Sequence, residues 1–346
     1  MYLFHNDYNV CCHPKIFDKL TALQSAQMPG YGMDSCCDRA ADRIRGLCGN
    51  DHLAVHFLVG GTQTNLTVIS ASLRPHQAVL CAESAHINVH ETGAVEATGH
   101  KVVTLPSSDG KISAQQVEGA VLAQKNDENA EHAVQLKMVY ISNPTEMGTV
   151  YTLSELQALS AVCRRYRLHL FADGARLGYA LTAKGNDVTL ADMACLCDAF
   201  YIGGTKCGAM FGEAVVISNV EIGADFRYVM KQKGGMLAKG WLLGAQFEAL
   251  FEDNLYFEIS SHANRLADQL RQTLCELGYP LLIPGCTNQV FPILPNTLLN
   301  RLDRNFTFLT QEKIDHEHTA VRFCTSWAST QESVDALCTE LKAFTI

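Results

Sequence analysis

Between Leu53 and Ser218 the chain alternates short apolar runs with amphipathic stretches, and that rhythm restricts its fold more than any other feature. Residues 53–59, 78–82, 101–105, 137–142, 168–172, 199–202 and 214–218 read as strands. Helices are expected from about Thr64, over 86–97, from Ser113 as an N-cap to Ala123, and over 154–166. Strands that alternate with helices predict an α/β layer built on a mostly parallel sheet. From Trp241 the texture changes. Residues 241–251 and 259–277 read as long helices, and 281–346 mix short strands with a terminal helix from about Gln331. This predicts a large domain over 1–240 and a smaller α+β domain over 241–346.

Composition narrows the function classes. The chain is 47% apolar and 18% charged, which marks a globular protein and not a disordered one. A net charge of −9 argues against a nucleic-acid partner or an anionic membrane. No apolar run reaches the roughly 18 residues of a spanning helix. The N-terminal stretch has no basic start followed by an apolar run, so no secretory signal is read there. The 14 cysteines include no C-x-x-C spacing, so the usual zinc and redox signatures are missing. Reduced thiols in the cytoplasm fit this pattern.

Four features fall at or just beyond the carboxyl ends of predicted strands, where open α/β sheets bind ligands. Gly60-Gly61-Thr62-Gln63-Thr64-Asn65 joins a strand to a helix. Its glycines permit close backbone approach, and a helix start offers free N–H groups to a phosphate. A tight turn with Thr64 as a cap explains the same residues. Asp173 closes an apolar strand, where a carboxylate needs a cationic partner. A protonated pyridine nitrogen is one such partner, and Arg176 is another. Lys206 follows a strand and a Gly pair. Partly desolvated, its amine becomes a nucleophile toward an aldehyde, whereas a single lysine is more often an exposed loop residue. His86 follows the strand ending at Ala82, and an imidazole there can stack on an aromatic ring. His86, His90 and Glu91 also suggest a zinc site, but the order is H-x-x-x-H-E and no third ligand is indicated.

Together these residues resemble the threonine aldolase / β-eliminating lyase family of fold-type-I pyridoxal-phosphate (PLP) enzymes. The resemblance runs from Asp7 to Trp327 through Tyr31-Gly32, GGTQTN, ESAHINVHETG, SNPTEMGTVYTLSEL, LFADGARL, YIGGTKCG, KQKGGMLAKGW and VRFCTSW, in the family's order. It implies the aspartate aminotransferase fold. It also implies that Lys206 holds PLP as a Schiff base, that Asp173 pairs with the pyridine nitrogen, and that His86 stacks on the ring and takes part in proton transfer. Gly61, Thr62 and Thr205 hold the phosphate in this pattern. Arg176 lies by the phenolic oxygen and the substrate, Arg322 grips the substrate carboxylate, and Tyr31 is an active-site tyrosine. Lys239 matches a lysine that reaches the phosphate of a neighbouring subunit. The family's assembly implies a homodimer or homotetramer with shared sites. One departure stands out: Glu146 replaces a histidine that contacts the substrate hydroxyl in threonine aldolases.

The implied activity is cleavage of the Cα–Cβ bond of a β-hydroxy amino acid, L-threonine or L-allo-threonine, to glycine and an aldehyde. Glu146 is able to accept the hydroxyl proton, and it equally suits a different β-substituent. The rival activities are β-elimination and transamination on another amino acid. A non-catalytic protein that keeps the fold is a rival from another class, and a zinc hydrolase is a more distant one.

Overall fold

A computed structural model describes residues 1–344. Its centre is a seven-stranded sheet: β1 (Ala54–Leu58), β2 (Gln77–Ala82), β3 (Val102–Leu105), β4 (Gln135–Ser142), β5 (His169–Asp173), β6 (Ala199–Gly203) and β7 (Glu213–Ile217). The spatial order is β1-β7-β6-β5-β4-β2-β3. Strands β2 to β6 form a parallel block. Strand β7 is antiparallel to both of its neighbours. Every residue of β2, β5, β6 and β7 is buried, which is why they read as unbroken apolar runs: helices cover both sheet faces.

The predicted strands all form, with ends shifted by one or two residues. Two helix expectations are corrected. The helix expected from Thr64 spans Gly61–Ser72, with Gly60 as an N-cap that makes no side-chain bond. Thr64 N donates to Gly60 O at 3.0 Å, so Thr64 lies inside the first turn and does not cap it. The helix expected over 86–97 is only His86–Val89, followed by a short 3-10 turn at Glu96–Thr98. It breaks where Thr92 and Gly93 adopt φ values of 54° and 71°, a left-handed conformation that no α-helix accommodates.

Buried apolar residues divide into two clusters. The first surrounds the central sheet and includes Leu243, Phe247, Leu255, Ile259 and Ala263. The second contains Leu266, Leu270, Leu274, Phe323 and Leu337. The division falls inside the long helix Leu255–Glu276. The boundary expected near Gly240 lies just before the helix Trp241–Leu250, whose buried residues join the first cluster. The second cluster sits under a small antiparallel sheet in which His318–Cys324 pairs with Ile293–Pro295 and Leu309–Lys313.

An N-terminal arm ties the two regions together. Tyr2–Leu3 pairs in parallel with Phe306–Thr307, and Cys324 N donates to Phe4 O at 2.7 Å. Phe4 is buried in the second cluster. Among the described residues, no helix is long and apolar enough to cross a membrane.

Candidate active site

The carboxyl ends of β4, β5 and β6 open on one recess. Two glycines allow the backbones to meet there. A Cβ on Gly174 would stand 1.8 Å from Tyr201 O, and one on Gly203 would stand 2.2 Å from Ala175 O. The recess is lined by Gly61, His86, Glu146, Asp173, Arg176 and Lys206 from the sequence prediction, together with Ser142, Pro144, Ala175 and Tyr201. Five stretches far apart in sequence therefore converge, with Asp173 and Arg176 on one of them.

Asp173, at the end of β5, is buried and takes four hydrogen bonds. Tyr140 OH donates to Oδ2 at 2.5 Å, and Asn65 Nδ2 donates to the same oxygen at 3.0 Å. Tyr201 OH donates to Oδ1 at 2.5 Å, and Ala175 N donates there at 2.9 Å. Burial works to raise the carboxyl pKa. The tyrosine hydroxyls and the Ala175 amide outweigh it and hold the group below the usual carboxylate range. Both phenols are pushed well above their ordinary value by burial and by Asp173 itself, so they stay protonated donors. The result is a fixed anion at the floor of the recess.

Lys206 lies in the loop between β6 and β7, half-buried. Its backbone is fastened by Tyr179 OH, which donates to Lys206 O at 2.6 Å. Among the described residues its Nζ makes no hydrogen bond or ion pair, and it faces the recess.

Glu213, which sequence reasoning missed, pins the same loop from β7. It accepts from Gly204 N at 3.0 Å and from Thr205 Oγ1 at 2.8 Å. Burial pushes its carboxyl up to about 8, against the pull of Lys206 and these donors. The folded chain therefore keeps a proton that the unfolded chain releases near 4.5, and stability falls as pH rises across that window. Glu213→Gln removes this titration. Its melting temperature relative to the parent is expected to climb by on the order of a few degrees between about pH 5 and about pH 9, measured by calorimetry. A constant difference across that range contradicts the expectation.

His86 opens the short helix His86–Val89. Its Nδ1 lies 2.8 Å from Glu91 Oε1, and its backbone N donates to Glu146 Oε1 at 2.9 Å. The Ser142 hydroxyl donates to the same Glu146 oxygen at 2.7 Å. Burial raises the Glu146 carboxyl above its usual range, against the pull of that hydroxyl. Glu146 thus sits beside His86 in the recess as a carboxyl that holds its proton more tightly than usual.

The remaining predicted residues fall outside this cluster or are already engaged. Arg176 donates to Asp7 through Nε at 2.6 Å and Nη2 at 3.0 Å, a bidentate pair that holds the Asp7 carboxyl low despite its burial. Arg322, on the small sheet, uses Nη1 on Gln289 Oε1 and Nη2 on His5 O, both at 3.1 Å. Its buried Nε has no partner. The Thr205 hydroxyl is turned to Glu213 and to Gly212 N. Thr62 is exposed in the first turn of the Gly61–Ser72 helix. Tyr31 is exposed with φ 62°, under Lys231 at 4.6 Å from its ring, and does not line the recess. Lys239 is exposed.

The chemistry of the recess suits PLP. A 12-residue helix begins at Gly61 with no side chain capping its free N–H groups, as a phosphate requires. Thr64 Oγ1 and Asn65 Oδ1 on that helix are buried without partners, as are Ser84 Oγ and Glu91 Oε2 beside His86. A buried anion and a free amine complete the set. Tyr140 and Tyr201 were legible in principle, because a phenol inside a buried apolar run needs a buried partner for its hydroxyl.

Known proteins match this chain. The beta-eliminating lyase family model matches residues 18–296. The low specificity L-threonine aldolase of Pseudomonas sp. (strain NCIMB 10558) is 30% identical, covering 98% of this chain and 96% of that protein. The structure of Leishmania major threonine aldolase agrees with a TM-score of 0.97 at 47% identity, over the whole of both chains. A single mutant of Thermus thermophilus aspartate aminotransferase, 16% identical, gives 0.74 over all of this chain and 92% of its own, a likeness of fold alone.

Proposed function

The chain belongs to the beta-eliminating lyase family, and from that premise we propose that it is a PLP-dependent lyase that cleaves the Cα–Cβ bond of L-threonine or L-allo-threonine. The products are glycine and acetaldehyde. The observation that carries this reading is the meeting of Lys206, Asp173, His86 and Glu146 in one recess. PLP, when bound, supplies an aldehyde for an amine to attack and a ring that accepts the electrons of the breaking bond.

The chain's residues do the rest. Lys206 offers the amine. Asp173 stands as the counter-charge for a protonated ring nitrogen. The Gly60–Thr62 turn offers its N–H groups to the phosphate, without the Thr205 hydroxyl, which Glu213 already occupies. His86 would stack on the ring and take part in proton transfer. Glu146 takes the β-hydroxyl proton as the Cα–Cβ bond breaks, and a proton returned to Cα completes glycine. The two arginines are held differently. Asp7 already neutralises Arg176, so that side chain serves as an oriented donor. Arg322 has only neutral acceptors and keeps its charge for the substrate carboxylate.

PLP-loaded protein mixed with L-threonine, L-allo-threonine or L-serine is the test. Glycine with the matching aldehyde is expected. Pyruvate and ammonia instead mean β-elimination, dependence on a keto-acid partner means transamination, and no turnover ends the reading. Glu146→Gln is expected to lower kcat about a hundredfold with a smaller change in KM, measured by aldehyde release. An unchanged kcat removes Glu146 as the base.

Two further points belong to this reading. Tyr31 is exposed and away from its own recess, so a role for it at a site needs a second copy of the chain, in a homodimer or homotetramer. The 14 free cysteines suit a cytoplasmic setting.

A further inference from the structure

Glu91 is a carboxylate with no lysine or arginine beside it. Its side chain has no exposed surface, and Oε2 has no partner. It caps no helix. A buried carboxylate kept this way is costly unless it is used. Its contacts show where it acts. Oε1 receives Asn65 Nδ2 at 2.7 Å and lies 2.8 Å from His86 Nδ1. Asn65 Nδ2 has two hydrogens, and its second bond goes to Asp173 Oδ2 at 3.0 Å. One amide nitrogen therefore bridges the two carboxylates, and both of its hydrogens are used.

The same geometry sets the imidazole. A carboxylate oxygen that already accepts from Asn65 presents a lone pair to Nδ1, so Nδ1 carries the ring hydrogen. Nε2 is then the nitrogen with a free lone pair. The His86 side chain is about one-third exposed, on the recess side. The helix ends at Val89, with His90 at φ −129° and ψ 11°, and this early end lets Glu91 reach His86; in a continued helix two residues five apart would point about 140° away from each other.

We propose that Glu91 and Asn65 are positioning residues that hold His86 with Nδ1 protonated and Nε2 open to the recess, and that they couple this state to Asp173. The inference rests on the reading of His86 as a group that handles protons. It assigns Glu91 to the orientation of an imidazole and not to a metal.

The test uses PLP-loaded protein carrying ¹⁵N-histidine, with the His86 signals identified by their loss in His86→Phe. Long-range ¹⁵N–¹H spectra are expected to give His86 as a single tautomer with an unprotonated Nε2. In Glu91→Gln the amide oxygen still accepts from Nδ1 and from Asn65. That variant is expected to keep the tautomer and stay within about tenfold of the parent kcat. Glu91→Leu is expected to release the ring into a mixture of tautomers and to lower kcat about a hundredfold, while KM for L-threonine moves less than about threefold. Asn65→Leu is expected to fall between them. A hydrogen on Nε2 in the parent overturns the proposal, as does a Glu91→Leu protein that keeps both the tautomer and kcat. Melting curves show whether a variant has simply lost its fold, and Glu91→Gln supplies the comparison if Glu91→Leu does. The tautomer is read without turnover. A chain that shows the predicted switch but cleaves no threonine keeps this inference and loses the proposed activity.

Discussion

Replacing Lys206 with alanine is expected to lower aldehyde release from L-threonine by about a thousandfold or more, the scale on which loss of a covalent nucleophile acts. The fold is expected to survive. The loop between β6 and β7 is held by its backbone and neighbours: Tyr179 OH on Lys206 O, Gly204 N on Gly212 O, and Glu213 on Gly204 N and Thr205 Oγ1. None of these bonds uses the lysine side chain. Borohydride treatment followed by peptide mass analysis is the direct measurement. The parent is expected to retain a reduced PLP adduct on the peptide containing Lys206, and Lys206→Ala none. Lys206→Arg keeps the charge without a usable amine, so it is expected to behave like the alanine variant. An adduct on any other lysine overturns the assignment.

Asp173→Asn has an expected effect of similar size, with a different signature. Asp173 receives four donors on two oxygens. Asparagine has one oxygen and one NH₂ group. Two of the four donors then face a donor. A tyrosine hydroxyl can turn to accept, but the Ala175 N–H and the Asn65 amide hydrogen cannot. The fixed anion that partners a ring nitrogen is lost at the same time. The expected result is a fall in kcat/KM of about a thousandfold, weaker retention of PLP on dialysis, and a melting temperature lower by on the order of a few degrees. The parent carboxyl is held low, so its contribution to stability is present above the unfolded value of 3.8 and is lost as pH falls through the folded one. The stability gap between parent and Asp173→Asn is therefore expected to close in acid. A variant with full activity and unchanged PLP retention removes Asp173 from the site.

The sheet was legible because both its faces are covered. Full burial turns β2, β5, β6 and β7 into unbroken apolar runs, and chemistry-bearing residues interrupt the pattern at their ends. Lys206, Asp173 and His86 stand at those interruptions, as does the Gly60–Gly61 pair. What stayed hidden depends on partners distant in sequence. Arg176 reads as a partner for Asp173 or a substrate neighbour until Asp7, 169 residues away, is folded against it. The Thr205 hydroxyl reads as a phosphate ligand until β7 brings Glu213 to it. The stretch after Val89 reads as helix from its alanines and glutamates, yet it turns at Thr92 and Gly93, two weak helix formers, while Glu91 is held by Asn65 and His86. The division of the two cores inside Leu255–Glu276 leaves no mark in composition, because one amphipathic helix serves both.

The N-terminal arm has a consequence for how the molecule is made. Phe4 O receives Cys324 N, His5 O receives Arg322 Nη2, and Asp7 clamps Arg176. Phe4 and His5 thus wait for the strand His318–Cys324, synthesised long after them, before these acceptors are met. Strands β1 to β7 all precede that strand in the chain, so the central sheet and the Asp7–Arg176 pair can form before Arg322 reaches Gln289 and His5. On the reading of Arg322 as the carboxylate ligand, the nascent chain can assemble its lysine loop before it can bind an amino acid.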